Sequence, residues 1–209
     1  RGFAARPDLL LLDEPFAALD PPSREALAPE LKEAIRSTGT TCVVVTHDRA
    51  EALALSDHMG VILEGRLVQA GPTEVVFRAP ASEAVARFIG VENLVPVRIL
   101  ERRPDSYRLE AAGIPLVGLP SSVKGETALA CIRAEDILVV LGPLPPLSAR
   151  NCVPCSVSAI EPAPAGLFVR LAGPLPLVVL LTRAAVEELG LVPGKAVTAC
   201  FKTSAVHLA

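Results

Sequence analysis

The chain has 209 residues, a formal net charge of −3 and 51% apolar residues, enough for one large or two small domains with a core of their own. One Tyr, six Phe and no Trp make that core aliphatic, and without any block of Lys and Arg the charge pattern argues against a nucleic-acid surface. The longest apolar stretches, such as residues 137–141 and 177–181, are far shorter than a membrane span; no signal peptide is visible, and an opening Arg1-Gly2-Phe3 without Met reads as a cut end.

Residues 9–14 read Leu-Leu-Leu-Leu-Asp-Glu, followed by Pro15. A continuous apolar run of this kind predicts a strand buried on both faces of a parallel sheet. Its carboxyl end, where open α/β sheets bind ligands, carries Asp13 and Glu14. Adjacent carboxylates there can hold Mg²⁺ and orient a water, as nucleotide hydrolysis requires. Asp20 predicts a helix cap, with Pro21 and Pro22 in the favoured first positions. Leu27, Leu31, Ala34 and Ile35 form its apolar stripe, Pro29 should kink it, and Gly39 should stop it.

A second buried strand is expected over residues 41–45, ending in Thr46, His47 and Asp48. Asp48 and Glu51 look like a capping pair for a helix reaching Leu55. Residues 61–63 and 67–69 flank Glu64-Gly65 as a tight hairpin, and residues 73–78 and 82–89 read as short helices, the second closed by Gly90. Beyond Gly90 helical patterning nearly vanishes, so a domain boundary is placed there, giving domains 1–90, 91–147 and 148–209.

The later part repeats itself. Asn93-Leu94-Val95-Pro96 is echoed by Asn151-Cys152-Val153-Pro154, residues 114–117 by 175–178, and residues 130–134 by 199–203, with Ile137 and Val206 in step. Residues 182–191 insert a short helix in the second copy. Each copy reads as a small meander or barrel, too small to bury much surface alone. The five cysteines, including the Cys152–Cys155 pair, lack further metal ligands at matching spacing and read as small buried hydrophobes in a reducing cytoplasm. His58 and His207 have no catalytic context and read as structural.

Residues 7–90 resemble the carboxyl-terminal half of an ABC-transporter ATPase subunit. Residues 7–16 resemble its Walker B strand, residues 17–20 the D-loop, and residues 43–48 the strand leading to the switch histidine. The fold implied is α/β, part of a P-loop NTPase with a parallel-sheet core. The resemblance gives Asp13 the Mg²⁺ site, Glu14 the polarising of the attacking water, His47 the γ-phosphate contact and Asp20 a place across a homodimer interface. His47 can donate to a phosphate oxygen and sense its presence. No G-x-x-x-x-G-K-[ST] and no L-S-G-G-Q signature occurs in the 209 residues, and residues 1–6 look like the end of the helix after that signature. The expectation is a fragment that does not hydrolyse ATP by itself.

Residues 148–209 resemble the Mop, or molybdate-binding, form of the TOBE domain, and residues 91–141 a weaker TOBE unit, so an all-β, OB-like barrel pair is expected after the α/β part. In Mop-type domains a tetrahedral oxyanion sits between subunits, held by backbone N–H groups, hydroxyls and lysine. A divalent oxyanion offers acceptors only, so donors must converge on it. The matching residues are Ser148, Arg150, Asn151, Lys202 and Ser204, with Thr182. The resemblance implies the ATPase subunit of a molybdate or tungstate importer using ATP and Mg²⁺. Its implied setting is peripheral, on the cytoplasmic face of the plasma membrane. Its implied partners are a second ATPase subunit, an integral-membrane permease and, indirectly, a periplasmic or extracellular substrate-binding protein. Two alternatives remain open. One is an importer of sulfate, iron, polyamine or sugar; the other is a non-catalytic module for oxyanion binding or dimerisation.

Overall fold

The computed structural model describes residues 7–209; the expectation for residues 1–6 lies outside them. The chain divides into two compact units between Phe77 and Arg78. The break thus precedes the compositional change at Gly90, and α4 (Glu83–Phe88) goes with the second unit. Val85, Ala86 and Ile89 of this segment are almost fully buried.

In the first unit, β1 (Leu9–Asp13) pairs in parallel with β2 (Thr41–Val45), Leu9 opposite Thr41 and Asp13 opposite Val45. Between them runs α1 (Pro21–Thr38), the crossover that a parallel pair requires. Asp20 caps its start by accepting from the Ser23 N–H at 3.4 Å and the Ser23 hydroxyl at 2.6 Å. Gly39, at φ 65°, ends it in the left-handed conformation that glycine adopts without penalty. α1 is continuous through Pro29. Its packed residues are Ala28 and Leu31, set against Phe16, Leu19, Val44 and Leu55; Leu27, expected in the stripe, is exposed.

The sheet departs from expectation in one respect. Leu9, Leu11, Val43 and Val45 are 49–69% exposed, whereas strands buried on both faces were expected. Among the described residues the parallel pair meets an apolar cluster through one face only, so alternate side chains of an unbroken apolar run stay open. α2 (Arg49–Leu55), β3 (His58–Leu63), β4 (Arg66–Pro72) and α3 (Thr73–Arg78) follow. β3 and β4 form the expected hairpin, with Glu64 at φ 49° and Gly65 at φ 75° in the turn.

The second unit is an exchanged pair of sheets. One has the order β7-β6-β5-β8-β14 and the other β12-β11-β10-β13-β9. Here β5 is Asn93–Arg102, β6 Tyr107–Ala111, β7 Ile114–Gly118, β8 Thr127–Ile132 and β9 Leu138–Val140. Their counterparts are β10 (Asn151–Ala163), β11 (Gly166–Ala172), β12 (Leu177–Leu181), β13 (Ala196–Phe201) and β14 (His207–Leu208). The two copies agree in detail. Each first strand shifts register at the same repeat position, Ile99/Glu101 in one and Val157/Ala159 in the other. Each fourth strand leads into a 3₁₀ turn, Ala134–Asp136 or Thr203–Ala205. The last strand of each copy then crosses over: β9 pairs with β13, and β14 pairs with β8. A single apolar core runs through both copies, from Val95, Leu109 and Ile132 to Val153, Val169 and Phe201. The insertion in the second copy is α5 (Arg183–Glu188), which packs Val186 into that core.

Two buried asparagines lock the copies together. Asn93 donates to Ile132 O and Val178 O and accepts from Val178 N at 2.6 Å. Asn151 donates to Val117 O and Phe201 O and accepts from Val117 N at 2.7 Å. Each amide therefore completes the third strand of the other copy, with the same set of partners by repeat position.

Candidate functional sites

The strand ends of the first unit bring Glu14 and His47 together. Glu14 follows β1 at φ 46° and donates its N–H to Val45 O, which holds it against the end of β2. Its carboxylate lies 2.6 Å from His47 Nδ1 and also accepts the His47 N–H at 3.2 Å. The hydrogen bond and charge of Glu14 push the imidazole pKa above its ordinary value. Asp13, one residue back, is exposed at the same strand end.

Behind His47 lies a network that fixes its loop. Asp48 caps α2 by accepting from Ala50 N and Glu51 N, and its own N–H goes to Thr46 Oγ1. Glu51 does not return the cap, contrary to the expected capping pair. Its buried carboxylate takes the Thr46 hydroxyl at 2.6 Å and faces Arg24 Nε at 3.4 Å. Arg24 also holds Asp48 at 2.7 Å. Burial works to raise the Asp48 carboxyl, but the two N–H donors and Arg24 outweigh it and keep it low. The Ser23 hydroxyl and N–H that donate to Asp20 likewise hold its carboxyl below its ordinary range.

The second unit carries an open groove of about 700 Å³. Ser148, Arg150, Lys202 and Ser204 line it, together with Thr203 and with Arg103, Asp105 and Ser106 from the β5–β6 turn. Three cations and four hydroxyls thus face one opening beside a single carboxylate, which suits a small anion rich in acceptors. Arg103 is tied to Glu101 at 2.8 and 3.0 Å. Two expected anion ligands lie elsewhere. Asn151 is fully buried in the strand lock described above, and Thr182 caps α5 by accepting from Ala185 N. Cys152 stands opposite Cys200 across β10 and β13, all five cysteines are free, and no metal-binding cluster occurs among the described residues.

The TOBE-domain family profile matches residues 147–208, the segment that carries Ser148, Arg150, Lys202 and Ser204. Over its whole length the chain is 40% identical to the molybdate/tungstate import ATP-binding protein WtpC of Pyrococcus abyssi, of which it covers 58%. The chain is thus similar over its full length to an import ATP-binding protein and spans little more than half of that relative. Over 66% of its length this TOBE-bearing chain is also 41% identical to the sulfate/thiosulfate import ATP-binding protein CysA 2 of Chromobacterium violaceum, covering 37% of that protein. The cytoplasmic molybdate-binding protein ModG, solved with molybdate bound, superposes with a TM-score of 0.50 at 24% identity, over 57% of this chain and 96% of ModG. That likeness supports the barrel fold. In the TOBE groove, Arg103, Ser106 and Thr203 had no signal in the sequence, since two of them come from the other repeat's hairpin and the third is an unremarkable residue between Lys202 and Ser204.

Proposed function

We propose that the chain is the C-terminal part of the ATP-hydrolysing subunit of an importer for molybdate or tungstate, with a TOBE pair that binds the oxyanion. The observation that carries this reading is the convergence of Ser148, Arg150, Lys202 and Ser204 on one groove, in a chain whose relative in Pyrococcus abyssi is named for molybdate and tungstate import. In the first unit the half-open parallel pair β1–β2 is read as part of a larger P-loop NTPase fold in which a further layer covers the open face, since parallel sheets are normally covered on both faces.

The donor set at the strand ends fits Mg²⁺-ATP: carboxylate oxygens suit a hard cation, and the exposed Asp13 is the residue to hold it. When bound, the metal supplies charge neutralisation at the phosphates. Glu14 would orient the attacking water and His47 would face the terminal phosphate, a reading supported by the 2.6 Å contact between the two side chains. Asp20 would meet a second ATPase subunit across a homodimer. A membrane permease and a substrate-binding protein complete the proposed assembly at the cytoplasmic face of the membrane. Oxyanion bound in the grooves would regulate it by holding the ATPase halves apart.

Calorimetric titration with molybdate, tungstate and sulfate tests the anion reading. Molybdate and tungstate are expected to bind more tightly than sulfate, and Lys202→Ala to weaken both by roughly tenfold or more, the scale of one charged hydrogen bond. An absence of heat with all three anions would remove the anion-binding part of the proposal.

A further inference from the structure

The two repeats match at the start of the first strand and at the fourth strand with its 3₁₀ turn, so these parts of the groove have counterparts in the other copy. Asn93 corresponds to Asn151, which sets Glu92 against Arg150. Residues 130–135 correspond to 199–204, which sets Arg133 against Lys202, Ala134 against Thr203 and Glu135 against Ser204. The backbone follows the same correspondence. Arg133 (φ −78°, ψ 144°) and Lys202 (φ −73°, ψ 159°) precede their 3₁₀ turns in nearly the same conformation. Asp136 N donates to Arg133 O, and Ala205 N to Lys202 O, both at 3.1 Å.

We infer that the first repeat's counterpart of the oxyanion groove is plugged by the chain's own Glu92 carboxylate, leaving one oxyanion half-site per chain. Glu92 Oε2 accepts the Ala134 N–H at 3.1 Å. The matching amide in the second repeat belongs to Thr203, which lines the groove. There the residue in Glu92's place is Arg150, which has donors only and cannot accept that N–H. One repeat therefore places a fixed anion on the amide, while the other surrounds the equivalent position with Arg150, Lys202 and the Ser204 hydroxyl. Glu135 in place of Ser204 adds a second negative charge to the plugged side and repels a free oxyanion from it. The inference rests on the proposed oxyanion groove and adds to it a reason for one-sidedness: the duplicated half-site is kept as fold and closed to ligand by an internal substitute.

The test compares the whole chain with its E92A, E92Q and E92R/E135S variants, using sodium molybdate in calorimetry and in thermal unfolding. E92A empties the amide. It is expected to melt lower than the unsubstituted chain, to be raised by molybdate more than that chain is, and to take up an additional, weaker oxyanion. E92R/E135S, which rebuilds the donor pattern of the second repeat, is expected to take up that oxyanion more tightly than E92A. E92Q keeps an acceptor for the Ala134 N–H and is expected to keep the stoichiometry of the unsubstituted chain. The inference is overturned if E92A and E92R/E135S both fold, bind with unchanged stoichiometry and respond to molybdate no more than the starting chain. Extra binding by the variants with none by the starting chain would support the plug and reject the proposed groove. No binding by any of them would reject both.

Discussion

At the scale of single residues, the Glu14–His47 contact is the most directly measurable feature. His47 is largely exposed, so its elevated pKa reflects the neighbouring carboxylate and not a buried environment. A histidine whose folded pKa is raised stabilises the fold fully below its unfolded pKa of about 6.5, and that contribution fades as pH rises through the folded value. An NMR titration of the His47 ring is therefore expected to show a midpoint above about 6.5 that returns toward it in Glu14→Gln. An unchanged midpoint in that variant would show that Glu14 does not hold the imidazole in solution. Asp13, Glu14 and His47 were legible in the sequence because strand-end position is a local property: an apolar run stops where the polar residues begin. The groove was only half legible. Ser148, Arg150, Lys202 and Ser204 lie in one repeat, whereas Arg103 and Ser106 reach the groove from a hairpin of the other. Asn151 was misplaced because its short polar side chain, beside Arg150, gives no sign that it turns inward to the Val117 backbone.

At the scale of elements, those two asparagines carry the pairing of the repeats. Each satisfies both backbone groups of one half-buried residue in the partner repeat and a buried carbonyl in its own. Replacing either by alanine removes these partners from backbone N–H and C=O groups, at a cost of up to about 1–3 kcal/mol for each group left stranded away from water. Asn93→Ala and Asn151→Ala are both expected to lower the denaturation midpoint by similar amounts, since the bonding pattern is the same. Urea unfolding followed by circular dichroism measures this, and a variant as stable as the parent would mean that water replaces the amide. The helices, the Glu64-Gly65 hairpin and the repeat itself were legible because each depends on nearby residues. The open face of β1–β2 was not. An apolar run tells which residues suit burial, and says nothing of whether a covering layer is among the residues at hand.

At the scale of the whole molecule, the exchange of β9 and β14 decides how the second unit can fold. A repeat taken alone lacks the outermost strand of its sheet, the asparagine that completes its third strand, and half of the shared core. What it retains is a four-stranded antiparallel sheet with its apolar face exposed, and a piece of about 60 residues buries too little surface to stand without help. The cost of ordering its chain remains nearly whole while much of the apolar gain is lost. Residues 91–147 and 148–209, expressed separately, are therefore expected to give no cooperative thermal transition as monomers. Mixed together, they are expected to recover one, because β9 can add to β13 and β14 to β8 without a covalent link. Circular dichroism melts of each piece and of the mixture separate the outcomes. A cooperative monomeric melt from either piece alone would show that the exchanged strand is an ornament of that repeat, and that its own core suffices.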